Sequence, residues 1–202
     1  ADRCPGVLRP HQAADGALLR LRVPGGWLPA WSLDLISVAA VAFGDCDVQL
    51  TSRANLQLRA VATDSSGAVA AAMVDEVARA GLLPHPSHER VRNIVCSPLS
   101  GLSGGLADLR SLAREIDETL CAAVDLATLP GPFLFVLDDG RGDLDALSAD
   151  LRIRAVAPQS VQVLVGDAAI GPVVPLARAA GLIIELSRAF LRAQPGEPVW
   201  HV

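Results

Sequence analysis

Thr51-Ser52-Arg53-Ala54-Asn55-Leu56-Gln57-Leu58-Arg59 sorts its side chains with a period of two. Ala54, Leu56 and Leu58 fall on one side, and Arg53, Asn55, Gln57 and Arg59 on the other. That is the pattern of a strand with one buried face, expected over residues 54–61. Working outward, Ala17–Val23 alternates in the same way, with Leu19, Leu21 and Val23 set against Arg20 and Arg22. Pro24-Gly25-Gly26 turns the chain, and Leu28, Trp31, Leu35, Val38 and Ala42 then recur at helical spacing up to Gly44. A short alternation at Asp47–Thr51 predicts a further strand. Val69, Met73 and Val77 predict a second helix, stopped by Gly81, Pro84 and Pro86. The order β-α-β-β-α is a ferredoxin-like unit, an antiparallel sheet under two helices, assigned to residues 1–83.

Residues 84–202 read differently. A stretch rich in Pro, Gly and Ser runs to about residue 105, broken by one strand-like segment, Asn93–Cys96. Leu109, Leu112, Ile116 and Leu120 mark a helix, and Phe133–Leu137, Ile153–Val156 and Val161–Val165 are apolar runs of strand length. Leu176, Ala179, Ile183, Leu186 and Phe190 line a closing helix. The expected class is α+β, a ferredoxin-like unit followed by a second α/β layer.

Composition narrows the function. Of 202 residues, 51% are hydrophobic and 19% charged, so a packed core is expected rather than disorder. A net charge of −5 argues against nucleic acid as a partner. No run approaches the ~18 apolar residues of a membrane helix and no signal peptide opens the chain, which places it in the cytoplasm. All 17 basic residues are Arg, and arginine grips carboxylates through a planar fork that lysine lacks. Cys4, Cys46, Cys96 and Cys121 lack the spacing of zinc or iron–sulfur ligands and read as free thiols. His11, His85, His88 and His201 are scattered, and a metal site built from them would need three to converge. The run Asp138-Asp139-Gly140-Arg141-Gly142-Asp143 lacks the pattern of a calcium loop and reads as a turn.

Two segments carry candidate chemistry. In the first, Arg53, Asn55, Gln57 and Arg59 present hydrogen-bond donors with no acid among them. An ordinary solvated sheet face mixes both signs, whereas a donor-only row suits a ligand with several carboxylates. The second, His88-Glu89-Arg90-Val91-Arg92-Asn93-Ile94-Val95-Cys96-Ser97-Pro98, brings another Arg-Asn pair into a strand ahead of a Gly/Ser-rich loop. It also fits a plain surface connection.

Together the two segments resemble motifs of the sulfite and nitrite reductases, hemoprotein-like enzymes whose threonine-arginine strand precedes an arginine-asparagine strand. Asp2-Arg3-Cys4-Pro5-Gly6, the 51–59 run, the 88–101 run and Phe133–Asp143 most resemble that family's precorrin-3B synthase branch, which acts in cobalamin biosynthesis. The likeness runs over residues 3–200 and implies the N-terminal half of such an enzyme. It implies an oxygen-dependent oxidation of precorrin-3A to precorrin-3B, with a hydroxyl and a γ-lactone installed. It also implies a 4Fe-4S cluster, an additional non-haem iron in some members, and external electrons. Substrate-binding roles carry over to Arg53, Asn55, Gln57, Arg92 and Asn93, with Ser97 beside them; no catalytic acid or base is assigned. The anionic ring carries eight carboxylates in a uroporphyrinoid, which would suit the donor face.

Two departures qualify the resemblance. Where the reductases have a lysine-bearing strand, this chain has Leu129-Pro130-Gly131-Pro132-Phe133-Leu134-Phe135, with no base. That favours the synthase branch over a sirohaem sulfite or nitrite reductase. The four cysteines cannot form the family's cluster site, so its ligands are expected outside these residues. The chain begins at Ala1 and ends at Trp200-His201-Val202, about where a first half would stop, and its expected partner is a missing C-terminal half or a second copy. A stand-alone, non-catalytic tetrapyrrole-binding module remains the other alternative.

Overall fold

The computed structural model describes residues 4–193; Asp2, Arg3, His201 and the terminal Trp200–Val202 stretch lie outside them. The described residues divide into two compact units, one made of residues 4–23 and 27–90, the other of 24–26 and 91–193.

In the first unit β1 (His11–Ala13), β2 (Gly16–Leu21), β3 (Gln49–Leu50) and β4 (Leu56–Val61) form an antiparallel sheet in the order β1-β2-β4-β3. Helices α1 (Ala30–Phe43) and α2 (Ala71–Arg79) complete the expected β-α-β-β-α order, with β1 as an extra edge strand. Leu19, Leu21, Leu56, Leu58 and Val61 cluster with Ile36, Ala39 and Ala40 of α1 and Met73 and Val77 of α2. Each of these larger side chains contributes roughly 1.5–3 kcal/mol on burial.

Helix α1 exists as predicted, but not with the expected inward stripe. Ser32, Ile36, Ala39 and Ala40 face the core, whereas Trp31 is 56% exposed and Val38 and Val41 are each 65% exposed. The reason lies in composition: α1 is apolar on nearly every side, with Asp34 its only charge, so spacing alone could not select the buried face. A helix apolar all round normally has neighbours all round.

The second unit carries a five-stranded sheet, β5 (Ile94–Cys96), β6 (Phe135–Asp138), β7 (Leu151–Ala157), β8 (Ser160–Val165) and β9 (Val173–Pro175), in sequential order. The β5-β6-β7 pairs are parallel, and β7-β8-β9 antiparallel. Leu109, Leu112, Ile116 and Leu120, along α3 (Arg110–Ala122), and Ala179 and Ile183 of α4 (Leu176–Ala193) share a core with Phe133, Phe135 and Ile153. Strand β9 was not expected, since Gly171 and Pro172 break the run before it reaches pattern length. Among the described residues no helix is long and apolar enough to cross a membrane.

One irregularity in the first sheet shapes the site. Between Ala17↔Val61 and Leu19↔Leu58, β4 carries an extra residue, a bulge at which Ala60 adopts a φ of 52°. Opposite it, Gly16 has a φ of 122°, and a Cβ there would stand 2.8 Å from backbone atoms of Ala60. Gly16→Ala is therefore expected to cost on the order of 1–3 kcal/mol, read as a lowered urea midpoint with unchanged slope.

Candidate functional site

Strand β2 decides which side chains face away from the first core. With Leu19 at 0% and Leu21 at 3% exposure turned inward, Arg20 and Arg22 must point the other way. Arg22 is nonetheless 2% exposed, and the Nε atoms of both Arg20 and Arg22 are buried without a hydrogen-bond partner. Burial pushes the Arg22 guanidinium down to about 10; the Arg20 and Arg53 charges push the same way, while Cys4 and Glu89 oppose them. A desolvated cation beside two others is costly unless an anion joins it.

Glu89 supplies part of that balance. It is 8% exposed and burial raises its pKa above the usual carboxyl range, although Leu8 N donates to its Oε1 at 2.8 Å. Its carboxylate lies over Gly6, where a Cβ would meet Glu89 Cδ at 2.3 Å. The Cys-Pro-Gly segment is thereby fastened to the segment that leaves the unit.

The stretch that opened the sequence reading is partly strand and partly turn. Thr51–Asn55 forms the bend between β3 and β4, closed by Thr51 N to Asn55 O at 2.9 Å and Asn55 N to Thr51 Oγ1 at 3.1 Å. Arg53 sits half-buried in that bend, so it does not share a strand face with Gln57 and Arg59. The alternation hid this because a tight turn with Ala54 at φ 55° preserves the polar-apolar rhythm without strand geometry. Asn55, 2% exposed, accepts Val23 N on its Oδ1 at 3.0 Å and anchors the end of β2. Gln57 bridges strands: Arg20 Nη2 donates to its Oε1 at 3.3 Å, and its Nε2 donates to Gln49 Oε1 at 3.1 Å. Arg59 forms a fork on Asp15 at 3.1 and 2.9 Å.

In the second unit Arg92, 3% exposed, places Nε and Nη2 on the two carboxylate oxygens of Asp117 at 2.6 and 2.7 Å, tying the approach to β5 onto α3. Asn93 Nδ2 donates to Gly131 O at 2.5 Å. Ser97 Oγ donates to Asp143 Oδ1 at 2.7 Å and accepts Asp139 N at 3.1 Å. Asp139 is itself held by Arg141 through both oxygens, at 2.8 and 2.7 Å. These bonds brace the loops beyond the ends of β5 and β6.

Two members of the site, Arg20 and Arg22, were not among the residues singled out from sequence. The signal was present in their alternation against Leu19 and Leu21; a matched motif drew attention to the 51–59 run instead. The thiols do not form a cluster-ligand set. Burial pushes the Cys96 thiol up to about 12, Cys46 is exposed, and Cys121 is raised by burial and by Asp117. Among the described residues no three His, Cys, Asp or Glu could hold a metal ion.

Residues 9–75 match the family described as the Nitrite/Sulfite reductase ferredoxin-like half domain. A curated relative, Precorrin-3B synthase of Sinorhizobium sp, is 33% identical over 157 residues, 76% of this chain and 32% of the relative. The chain thus spans about a third of the curated relative it matches. The solved Mycobacterium tuberculosis NirA protein shares the fold over 99% of this chain and 39% of its own, with a TM-score of 0.64 and 15% identity. The resemblance read from the motifs holds on these findings.

Removing Arg92 strands Asp117 beside a buried void. Arg92→Ala is expected to cost about 3–5 kcal/mol, read in chemical denaturation.

Proposed function

Because residues 9–75 match a half domain of the nitrite and sulfite reductase type, we propose that this chain supplies part of a tetrapyrrole-carboxylate site in an oxidoreductase of the precorrin-3B synthase kind. The observation that most supports this is Arg22, a buried guanidinium whose Nε has no partner, within the field of Arg20 and Arg53. Three like charges gathered against one sheet favour an anion, and each charge-assisted bond to a carboxylate is worth roughly 1.5–3 kcal/mol.

In this reading Arg20, Arg22 and Arg53 take ligand carboxylates, and Gln57, already fixed between Arg20 and Gln49, orients them. Asn55 sets the height of Arg53 by pinning the turn to Val23. Within their own unit, Arg92, Asn93 and Ser97 are carried as substrate-binding residues by the family likeness; a carboxylate reaching Arg92 must share its fork with Asp117. The reaction is the oxygen-dependent conversion of precorrin-3A to precorrin-3B in cobalamin biosynthesis. A 4Fe-4S cluster in such an enzyme supplies electrons, and the described cysteines do not fit as its ligands. The apolar outer side of α1 supports a further half domain as partner, in the rest of a longer protein or in a second copy.

Uroporphyrin, an octacarboxylate, serves as probe. Arg22→Leu and Arg53→Ala are each expected to weaken its binding about 10- to 150-fold, measured by fluorescence titration. Arg53→Lys recovers only part of this because it keeps the charge without the fork. Arg79→Ala, on the exposed side of α2, should bind as the parent does. Unchanged affinity in both Arg22→Leu and Arg53→Ala would sink the site. The partner reading is checked by sedimentation: concentration-dependent association is expected, and Val38→Glu should abolish it.

A further inference from the structure

The face of the second sheet turned away from α3 and α4 holds a cavity of its own. On β7, Leu151, Ile153 and Ala155 enter the core shared with those helices, so the period of two sends Arg152 and Arg154 to the opposite face. Leu164 joins them there, in register with Arg152 across β7 and β8. Residues 144–149, between β6 and β7, fold over this face, and Leu144 and Ala149 cluster with Val136 beneath them. Arg152 holds that loop down: its Nη1 donates to Leu144 O at 3.0 Å and its Nη2 to Leu147 O. After β8, a turn at Gly166, closed by Ala168 N to Val165 O at 3.1 Å, carries Asp167. Loop, strands and turn enclose a cavity of about 350 Å³, at the lower end of the sizes that small-molecule sites take.

Charge is spread unevenly around this cavity. Arg152 is 8% exposed, and the two carbonyls it grips are neutral. Among the described residues its one carboxylate neighbour within 4.0 Å is Asp145, whose Oδ1 already receives Arg154 Nη2. One carboxylate thus serves two guanidiniums, one of them largely desolvated, and positive charge is left over at this end. Asp167 lines the cavity from the turn, exposed, and no arginine is paired with it among the described residues. Register keeps the two ends apart: Gly166 N meets Asp150 O at 2.9 Å, whereas Arg154 stands opposite Gln162. Ala146, Ala149, Ala168 and Ala169 supply a small apolar wall.

We propose that this cavity binds a small zwitterion, an amine-bearing carboxylic acid whose carboxylate meets Arg152 and Arg154 and whose ammonium meets Asp167. The charged lining is neutral in sum, two arginines against two aspartates, yet polar from one end to the other. A ligand of the same kind, with its ends reversed, answers both. A plain carboxylate would leave Asp167 unanswered, and a plain amine would meet the excess of guanidinium charge. Arg154 commits only Nη2 to Asp145, and a guanidinium offers five N–H donors, so a second carboxylate can sit beside the first. The alanines leave room for a short methylene chain and bury it against apolar surface. The site lies wholly within the second unit and does not depend on the tetrapyrrole reading.

Calorimetric titration of 4-aminobutyrate, 5-aminopentanoate and 6-aminohexanoate into the whole chain at neutral pH and low salt tests this, the series varying the distance between the two charges. At least one is expected to saturate a single site with a Kd below about 1 mM. The alkanoate and the alkylamine of matching length, which carry one end each, should bind at least about fivefold more weakly. Arg154→Gln should weaken the best zwitterion about fivefold, and Asp167→Asn should bring it down to the affinity of the matching alkanoate. Both side chains reach the surface, so both variants keep the thermal midpoint of the parent. Arg79→Ala, in the first unit, should bind as the parent does. No saturation below about 1 mM by any of the three, equal affinity for the matching alkanoate, or unchanged affinity in either cavity variant overturns the proposal.

Discussion

The pairing of β2 with β4 is the constraint from which the rest of the first unit follows. Its period of two leaves no freedom: once Leu19, Leu21, Leu56 and Leu58 fill the space beneath α1 and α2, the arginines of β2 have one side left to occupy. Hydrophobic burial, worth several kcal/mol in sum, thereby holds in place the desolvated cation at Arg22. The bulge at Ala60 restores Val61 to the core three residues after Leu58. It also turns Arg59 toward Asp15 and so takes it out of the donor set.

Both units pair arginines with acids, Arg59 with Asp15 in the first and Arg92 with Asp117, Arg141 with Asp139 and Arg188 with Asp125 in the second. Parallel strands β5 and β6 end in loops whose polar atoms are turned on one another through Ser97, Asp138 and Asp139. These bonds hold the ends of the two strands together, although the buried Asp138 Oδ2 has no hydrogen-bond partner among the described residues.

How much of this was legible in the sequence depended on whether contrast survived between faces. Met73 and Val77 in α2, and Leu112, Ile116 and Leu120 in α3, stand against charged neighbours, and both helices bury the expected side. In α1 the contrast is missing, and Trp31 and Val38 point outward where the spacing set them inward. Alternation at 51–59 was real, yet it spans a turn and a strand, because backbone geometry at Ala54 is invisible to a polar-apolar rhythm. Arg92 and Asn93 could be marked by motif, but not their partners: Asp117 is 25 residues from Arg92 and Gly131 is 38 from Asn93. Such partners are fixed by tertiary folding, beyond the reach of local pattern.

The bond from Leu8 N to Glu89 joins residues 81 apart, and the carboxylate rests where Gly6 leaves room for it. The start and the end of the first unit therefore meet. A fold whose ends lie side by side is closed like a ring: it can be opened at another surface loop and rejoined at the old ends. The same geometry lets such a module be copied in tandem within a gene, since each copy returns the chain to where it began.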